Sequence, residues 1–292
     1  FFSFIVSFFL FINHPSTPKL QLQLQQPIFI MSLLSSIGLR TSIIDNADGS
    51  AELSIYNNNS NEASSSSSSD DNSIIKLITS VNGPIEPKQR QELPNRASLE
   101  INIYPSIGLS TTKEKLLENK LRSILQNNII INYKYPRQLI QISIQFLISS
   151  GSSSNYGLMM MNLLDLNALI NCCYFALIDA NIAMNYSFAS IVIIIDHQGN
   201  LLIPIDGNDL HQQQQQEEDY ESIHLCCYSI IAKKVDKLLL LESQGDFNES
   251  QLFNVLEKSI YKVEKFHNEI HRQFINDKIK NDYIWKQERE DE

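Results

Sequence analysis

The chain has 292 residues, 43% of them hydrophobic and 19% charged, enough for a substantial buried core and too apolar for a wholly disordered polymer. Its formal net charge of −10 argues against a simple basic nucleic-acid-binding domain, whose positive surface would gain by neutralising phosphates. The charge is uneven, however: residues 76–137 hold ten Lys/Arg against five Asp/Glu, so a basic block sits on an acidic protein. That block reads either as part of a composite binding surface or as an ordinary solvated face.

The first twelve residues are apolar but have no basic n-region, no initiating Met and no small-residue cleavage site. They are too short to cross a bilayer, and Pro15 and Pro18 break them. Residues 1–30 are therefore read as an upstream or targeting segment outside the fold, with Met31 as a credible start. Residues 51–56 and 74–81 resemble two arms of a hairpin whose tip is inflated by an Asn/Ser-rich insertion near 57–73. Residues 97–104 alternate apolar and polar, as a half-buried strand does. Thr111 and Glu114 have the spacing of a capping box and open a helix to about Ile124. Residues 138–148 alternate again. Residues 161–180 are apolar on nearly every side, the pattern of a helix buried between layers.

Residues 188–195 and 200–205 read as strands joined by a turn at Gly199, and a Gln-rich insertion follows near 211–220. Strands are expected again over 225–232 and 235–241. Leu252, Val255, Leu256, Val263, Phe266, Ile270 and Phe274 mark a long amphipathic C-terminal helix, and residues 278–292 read as a charged tail. The fold class is α+β. The four cysteines form two adjacent pairs, Cys172-Cys173 and Cys226-Cys227, without the C-x-x-C spacing of a zinc site. Cys172 and Cys173 fall in the apolar helix and read as small buried hydrophobes of a reducing compartment. His267 and His271, with Glu264 one turn before, have a spacing that could hold Zn²⁺, although such a helix edge is more often solvated, and no metal site is assigned.

Three collinear stretches go beyond class. They are Asp45-Asn46-Ala47-Asp48-Gly49-Ser50-Ala51, then Val81-Asn82-Gly83-Pro84-Ile85-Glu86, then Ala176-Leu177-Ile178-Asp179-Ala180-Asn181-Ile182-Ala183-Met184. In this order they resemble the RNase PH family, and the run over 79–101 together with Gly245–Phe253 resembles its members in the ring of the RNA exosome. The resemblance implies an RNase PH fold (ribosomal protein S5 domain 2-like) over residues 31–277, a single domain with mixed sheets and a buried central helix. It places Asn181 where the family has Gly; that is the position after a helix where left-handed backbone is favoured and Asn substitutes for Gly. Asp179 then reads as a helix-end hydrogen-bonding residue rather than an acid or base.

Active members of that family cleave RNA from its 3′ end with inorganic phosphate. A G-G-[TS]-R-like loop opening the central helix holds the phosphate, and Asp residues on the following strand position a metal ion. Here Leu163-Leu164-Asp165-Leu166 stand at the loop, with neither glycine nor arginine, and the family's first Asp falls at Ile203 or Pro204. Asp206 or Asp209 would supply half a metal site at best. Asn119 stands where active members tend to be basic, although Arg122 remains. The expectation is a non-catalytic ring subunit without cofactor or metal, the alternative an active phosphate-dependent 3′-exoribonuclease. The resemblance further implies other RNase PH-like ring subunits, an RNA-binding cap subunit, an associated hydrolytic nuclease and RNA as partners, no membrane, and a place in nucleus, nucleolus and cytoplasm. Lys88, Arg90 and Arg96 fall where the family faces its central channel and are the candidate RNA contacts. In the plainer reading Arg96 pairs with Glu92 and the other two are merely solvated.

Overall fold

Period-two burial builds the first sheet. In β3 (Ser73–Ile85) Ile75, Leu77, Thr79 and Val81 point inward while the residues between them are half-exposed. Around it stand β1 (Ile37–Thr41), β2 (Gly49–Tyr56), β4 (Ser98–Tyr104) and β5 (Leu139–Ile148), in the order β1-β2-β3-β5-β4. All neighbours are antiparallel except β4 and β5, which run parallel with Ile101 beside Ile142 and Ile103 beside Ile144. A parallel pair needs a crossover, and helix α1 (Thr112–Ile124) supplies it. Its start is the expected capping box: the Thr111 amide donates to Glu114 Oε2 at 2.6 Å, and the Thr111 hydroxyl accepts from Lys113 N at 3.3 Å. Leu117, Leu121 and Ile124 form its buried stripe. The computed structural model describes residues 37–56, 73–149, 158–196, 201–202 and 220–282. The segment 1–30, most of both insertions, the turn at Gly199, and Ile203, Pro204, Asp206 and Asp209 lie outside the described residues.

Helix α2 (Leu158–Asp179) is the centre of the molecule. Every residue from Leu163 to Leu177 is buried, because β2 and β3 cover one side of the helix and β6 and β8 the other. The second sheet holds β6 (Ser187–Asp196), β7 (Leu201–Leu202), β8 (Tyr220–Ile231) and β9 (Lys234–Gly245), antiparallel in the order β7-β6-β8-β9. Strand β6 reads as a continuous apolar run because both its faces are covered. Phe188, Val192 and Ile194 pack with α2; Ala189, Ile191, Ile193 and Ile195 pack with Val255, Val263 and Phe266 of α3 (Glu249–Phe266). The same alternation sends Cys227 into the first core and its neighbour Cys226 into the second. The layers are thus sheet, helix, sheet, helix.

Two features differ from the sequence reading. Strand β1 was not anticipated: its five residues are nearly all half-buried, so they carry no alternation. The C-terminal helix does not give way to a tail at Lys278. After a π turn at His267–His271 it continues as α4 (Arg272–Asp282), and the Lys278 ammonium is tied to the Asp179 carboxylate.

Candidate functional site

The three sequence motifs meet at the C-terminal end of α2. Asp179 Oδ2 accepts from the Ser50 amide and Oδ1 from the Ser42 hydroxyl, both at 2.8 Å, and Lys278 adds a cation. Ser50 Oγ accepts from the amides of Ile43 and Ile44, at 2.8 and 3.0 Å, shaping the turn before β2. Asp48 Oδ2 accepts from the Gly83 amide at 2.8 Å. Gly49 is required for space: a Cβ there would lie 2.2 Å from the Ala180 nitrogen and 2.7 Å from the Ala176 carbonyl oxygen. Asn181 has φ +54°, the left-handed exit expected of it. These residues are a structural knot, and the Asp179 carboxylate is engaged in holding it.

At the expected phosphate loop the structure places a hydrophobic core. Leu163 and Leu166 are 1% and 0% exposed, and Leu164 is also buried. Asp165 is 1% exposed, and its Oδ2 binds Lys113 Nζ from the first turn of α1 at 2.9 Å. A carboxylate buried beside an ammonium links α1 to α2 and offers an incoming phosphate a negative charge. Deeper in the helix, Asn171 ties α2 to the backbone of β6. Beside Ser190, which lies beyond the described pairing of β6 with β7, its Oδ1 accepts the Ser190 amide and its Nδ2 donates to the Ser190 carbonyl, both at 3.1 Å. Arg122, on the face of α1 that also carries exposed Asn119, has a buried Nε with no hydrogen-bond partner among the described residues.

The basic block does not form one face. Lys76, Lys113, Lys115, Lys120 and Arg137 are paired within the fold, with Glu52, Asp165, Glu118, Glu242 and Glu92. Lys88, Arg90 and Arg96 stand exposed on the loop from β3 to β4, which is braced by Gln91: its amide donates to the Lys88 carbonyl at 2.7 Å and its side chain to Glu100 at 3.2 Å. Glu92 does not take Arg96. Its partner is Arg137 at 3.6 Å, on a turn that lies against this loop through Arg137 N to Leu93 O and Ala97 N to Asn132 O. That turn, with Tyr133, Lys134 and Arg137, was not singled out in the sequence; the signal was the interleaving of aromatic and basic residues over 133–137.

The two histidines are core residues. His271 is fully buried, His267 nearly so, and their Nδ1 atoms lie 3.2 Å apart among Tyr174, Phe175 and Phe266. Burial lowers the pKa of His267 to about 4, helped by Arg272, and burial, with His267 beside it, drives that of His271 well down, so both are neutral. Glu264 faces elsewhere, accepting the Val235 amide at 3.0 Å, and no group of three metal-ligating side chains occurs among the described residues. All four cysteines are buried free thiols; burial raises Cys172 to about 12 and the other three likewise upward, so none is a nucleophile. No described helix is long and apolar enough to cross a membrane.

Comparison with known proteins fits this geometry. Residues 34–183 match the profile of the 3′ exoribonuclease family, domain 1 (RNase PH). A protein of Saccharomyces cerevisiae named exosome complex component RRP46 is 38% identical over 252 residues, 85% of this chain and 97% of that one. Its namesake in Schizosaccharomyces pombe is 35% identical over 182 residues, 62% of this chain and 72% of the relative. The crystal structure of rice (Oryza sativa) Rrp46 superposes with a TM-score of 0.56 at 18% identity, covering 80% of this chain and 92% of that one, a likeness of fold.

Proposed function

The chain belongs to the RNase PH family of 3′ exoribonucleases, and from that membership we propose that it is a non-catalytic ring subunit of an RNA exosome, supporting 3′-to-5′ RNA processing and turnover along a path through the ring. The observation that carries this is a match at 38% identity over 97% of a relative named as an exosome component. The loss of catalysis is supported by the leucines and the Lys113–Asp165 pair where the family holds phosphate. Phosphorolysis needs donors and a cation for the attacking phosphate; buried leucines supply neither.

Partnership with further RNase PH-like subunits is supported by the loop from β4 to α1. Ile107 and Leu109 are 91% and 89% exposed there, yet the loop is fixed: Gln145 Nε2 donates to Pro105 O at 2.8 Å and Ser110 Oγ to Ile103 O at 2.9 Å. A rigid turn presenting two bare aliphatic side chains suits a neighbour that covers them. Beyond the ring, an RNA-binding cap subunit and a separate hydrolytic nuclease complete the proposed assembly. The free thiols support a reducing compartment, here nucleus, nucleolus and cytoplasm. Lys88, Arg90 and Arg96 form a passive grip on the RNA backbone. Changing all three to Glu in the intact assembly lowers RNA affinity and flattens its salt dependence; unchanged binding removes the grip. Recovering the tagged full chain from its own cells, followed by mass spectrometry, tests ring membership: RNase PH-like partners are expected, and a partner-free monomer overturns it.

A further inference from the structure

Next to the Lys88–Arg96 loop stands a second turn of similar chemistry. Residues Asn132–Lys134 form a single 3₁₀ turn, and two tyrosines two positions apart on it have opposite fates. The Tyr135 hydroxyl accepts the Ala183 amide at 3.0 Å, so that ring anchors the turn to the body of the protein. Tyr133 is 76% exposed. The turn is held firmly, with the Asn132 side chain on the Gln126 carbonyl and the Asn132 carbonyl accepting from Ala97. Arg137 closes it with φ +59°, a left-handed conformation that is uncommon outside glycine, and its amide donates to the Leu93 carbonyl at 3.2 Å. The Arg137–Glu92 pair is long and its guanidinium side chain is 70% exposed, so solvent screening leaves it weak and exchangeable for a phosphate. A large aromatic ring held bare on an ordered turn, flanked by Lys134 and Arg137, combines the two elements of a single-strand site: a face for a base and cations for its backbone.

We propose that the RNA contact extends from the Lys88–Arg96 loop onto this turn, with Tyr133 stacking on an RNA base and Lys134 and Arg137 holding adjacent phosphates. This rests on the reading of that loop as an RNA grip. It assigns the site to single-stranded RNA without sequence preference, because every base offers a π-face and none of these groups is placed to read a base edge.

The test uses the full chain within the assembly it co-purifies with, and two labelled probes: an oligoadenylate and an abasic ribose-phosphate oligomer of equal length. Tyr133→Ala is expected to weaken oligoadenylate binding by about 5-fold or more while leaving the abasic probe and the salt dependence unchanged, and Tyr133→Phe to restore binding. Replacing Lys134 and Arg137 with Ser is expected to flatten the log affinity against log salt slope by about 0.7 per lost phosphate contact, on both probes. If Tyr133→Ala changes nothing while Lys88, Arg90 and Arg96 to Glu weakens binding, this extension fails and the grip stands. If neither set matters, the RNA reading itself fails. Loss of partner subunits with RNA affinity intact would make Tyr133 a protein contact and overturn the proposal.

Discussion

Asp179 is the position where a structural and a chemical reading of this fold diverge most, and Asp179→Ala separates them. Its side chain is 5% exposed and accepts from the Ser50 amide, the Ser42 hydroxyl and the Lys278 ammonium. Truncation leaves the amide of fully buried Ser50 without an acceptor, a desolvation cost of about 1–3 kcal/mol. The Lys278 side chain, 19% exposed, loses a charge partner but can still reach water, which adds about 1 kcal/mol. The exposed Ser42 hydroxyl adds little. The sum, about 3 kcal/mol, is a large part of the roughly 5–15 kcal/mol that stabilises a folded protein. For a chain of this size it corresponds to a fall in Tm of roughly 6–12 °C. Asp179→Asn keeps an acceptor for Ser50 and should lose about half as much. Scanning calorimetry of the full chain reads both. A variant within about 1 kcal/mol of the parent that had nevertheless lost RNA-dependent function would refute the structural reading and make Asp179 a chemical group.

Gly49→Ala should destabilise by about 3 kcal/mol or more, because the new Cβ meets the backbone of Ala176 and Ala180, which cannot move aside without shifting the end of α2; a neutral result by calorimetry would mean that β2 and α2 are not so closely apposed. Both buried histidines have folded pKa values below the unfolded value near 6.5, so the unfolded chain binds more protons on acidification. Their contribution is therefore complete above pH 6.5 and is lost as pH falls, that of His267 toward about 4 and that of His271 further down, and His267→Gln should flatten the upper part of a urea-midpoint profile; an unchanged profile contradicts it. Ile107→Asp with Leu109→Asp should leave the calorimetric transition of the full chain within about 0.5 kcal/mol, as expected for exposed positions, yet lower recovery of partner subunits. Full recovery would place the neighbour elsewhere.

Much of the fold was legible because local chemistry and tertiary position agree. The Thr111–Glu114 box, the alternation of β3 and β4 and the all-round apolar α2 each have a cause within a few residues. Strand β1 was not legible, since an edge strand of half-buried residues has no period to read. The π turn at His267–His271 was also hidden: the spacing that suggests a metal pair also suits two neutral rings packed on Tyr174 and Phe175, and the deciding fact is what surrounds them. At the candidate site, sequence proximity suggested Glu92 for Arg96, whereas parallel pairing of β4 with β5 brings Arg137 there instead. The basic block shows the same limit. Composition located its charge, but half of its cations pair with carboxylates of the fold, and only the structure shows that Lys76, Lys113 and Lys120 are held there while Lys115 and Arg137 stay largely exposed.

The proposed subunit keeps an RNase PH fold without phosphorolytic chemistry. Incubating the purified full chain, alone and with its co-purifying partners, with single-stranded RNA, Mg²⁺ and inorganic phosphate tests this most directly, with nucleoside diphosphates resolved by chromatography. No phosphate-dependent diphosphate should appear from the chain, and adding it to its partners should not create any. Diphosphate release that requires both phosphate and this chain would contradict the claim.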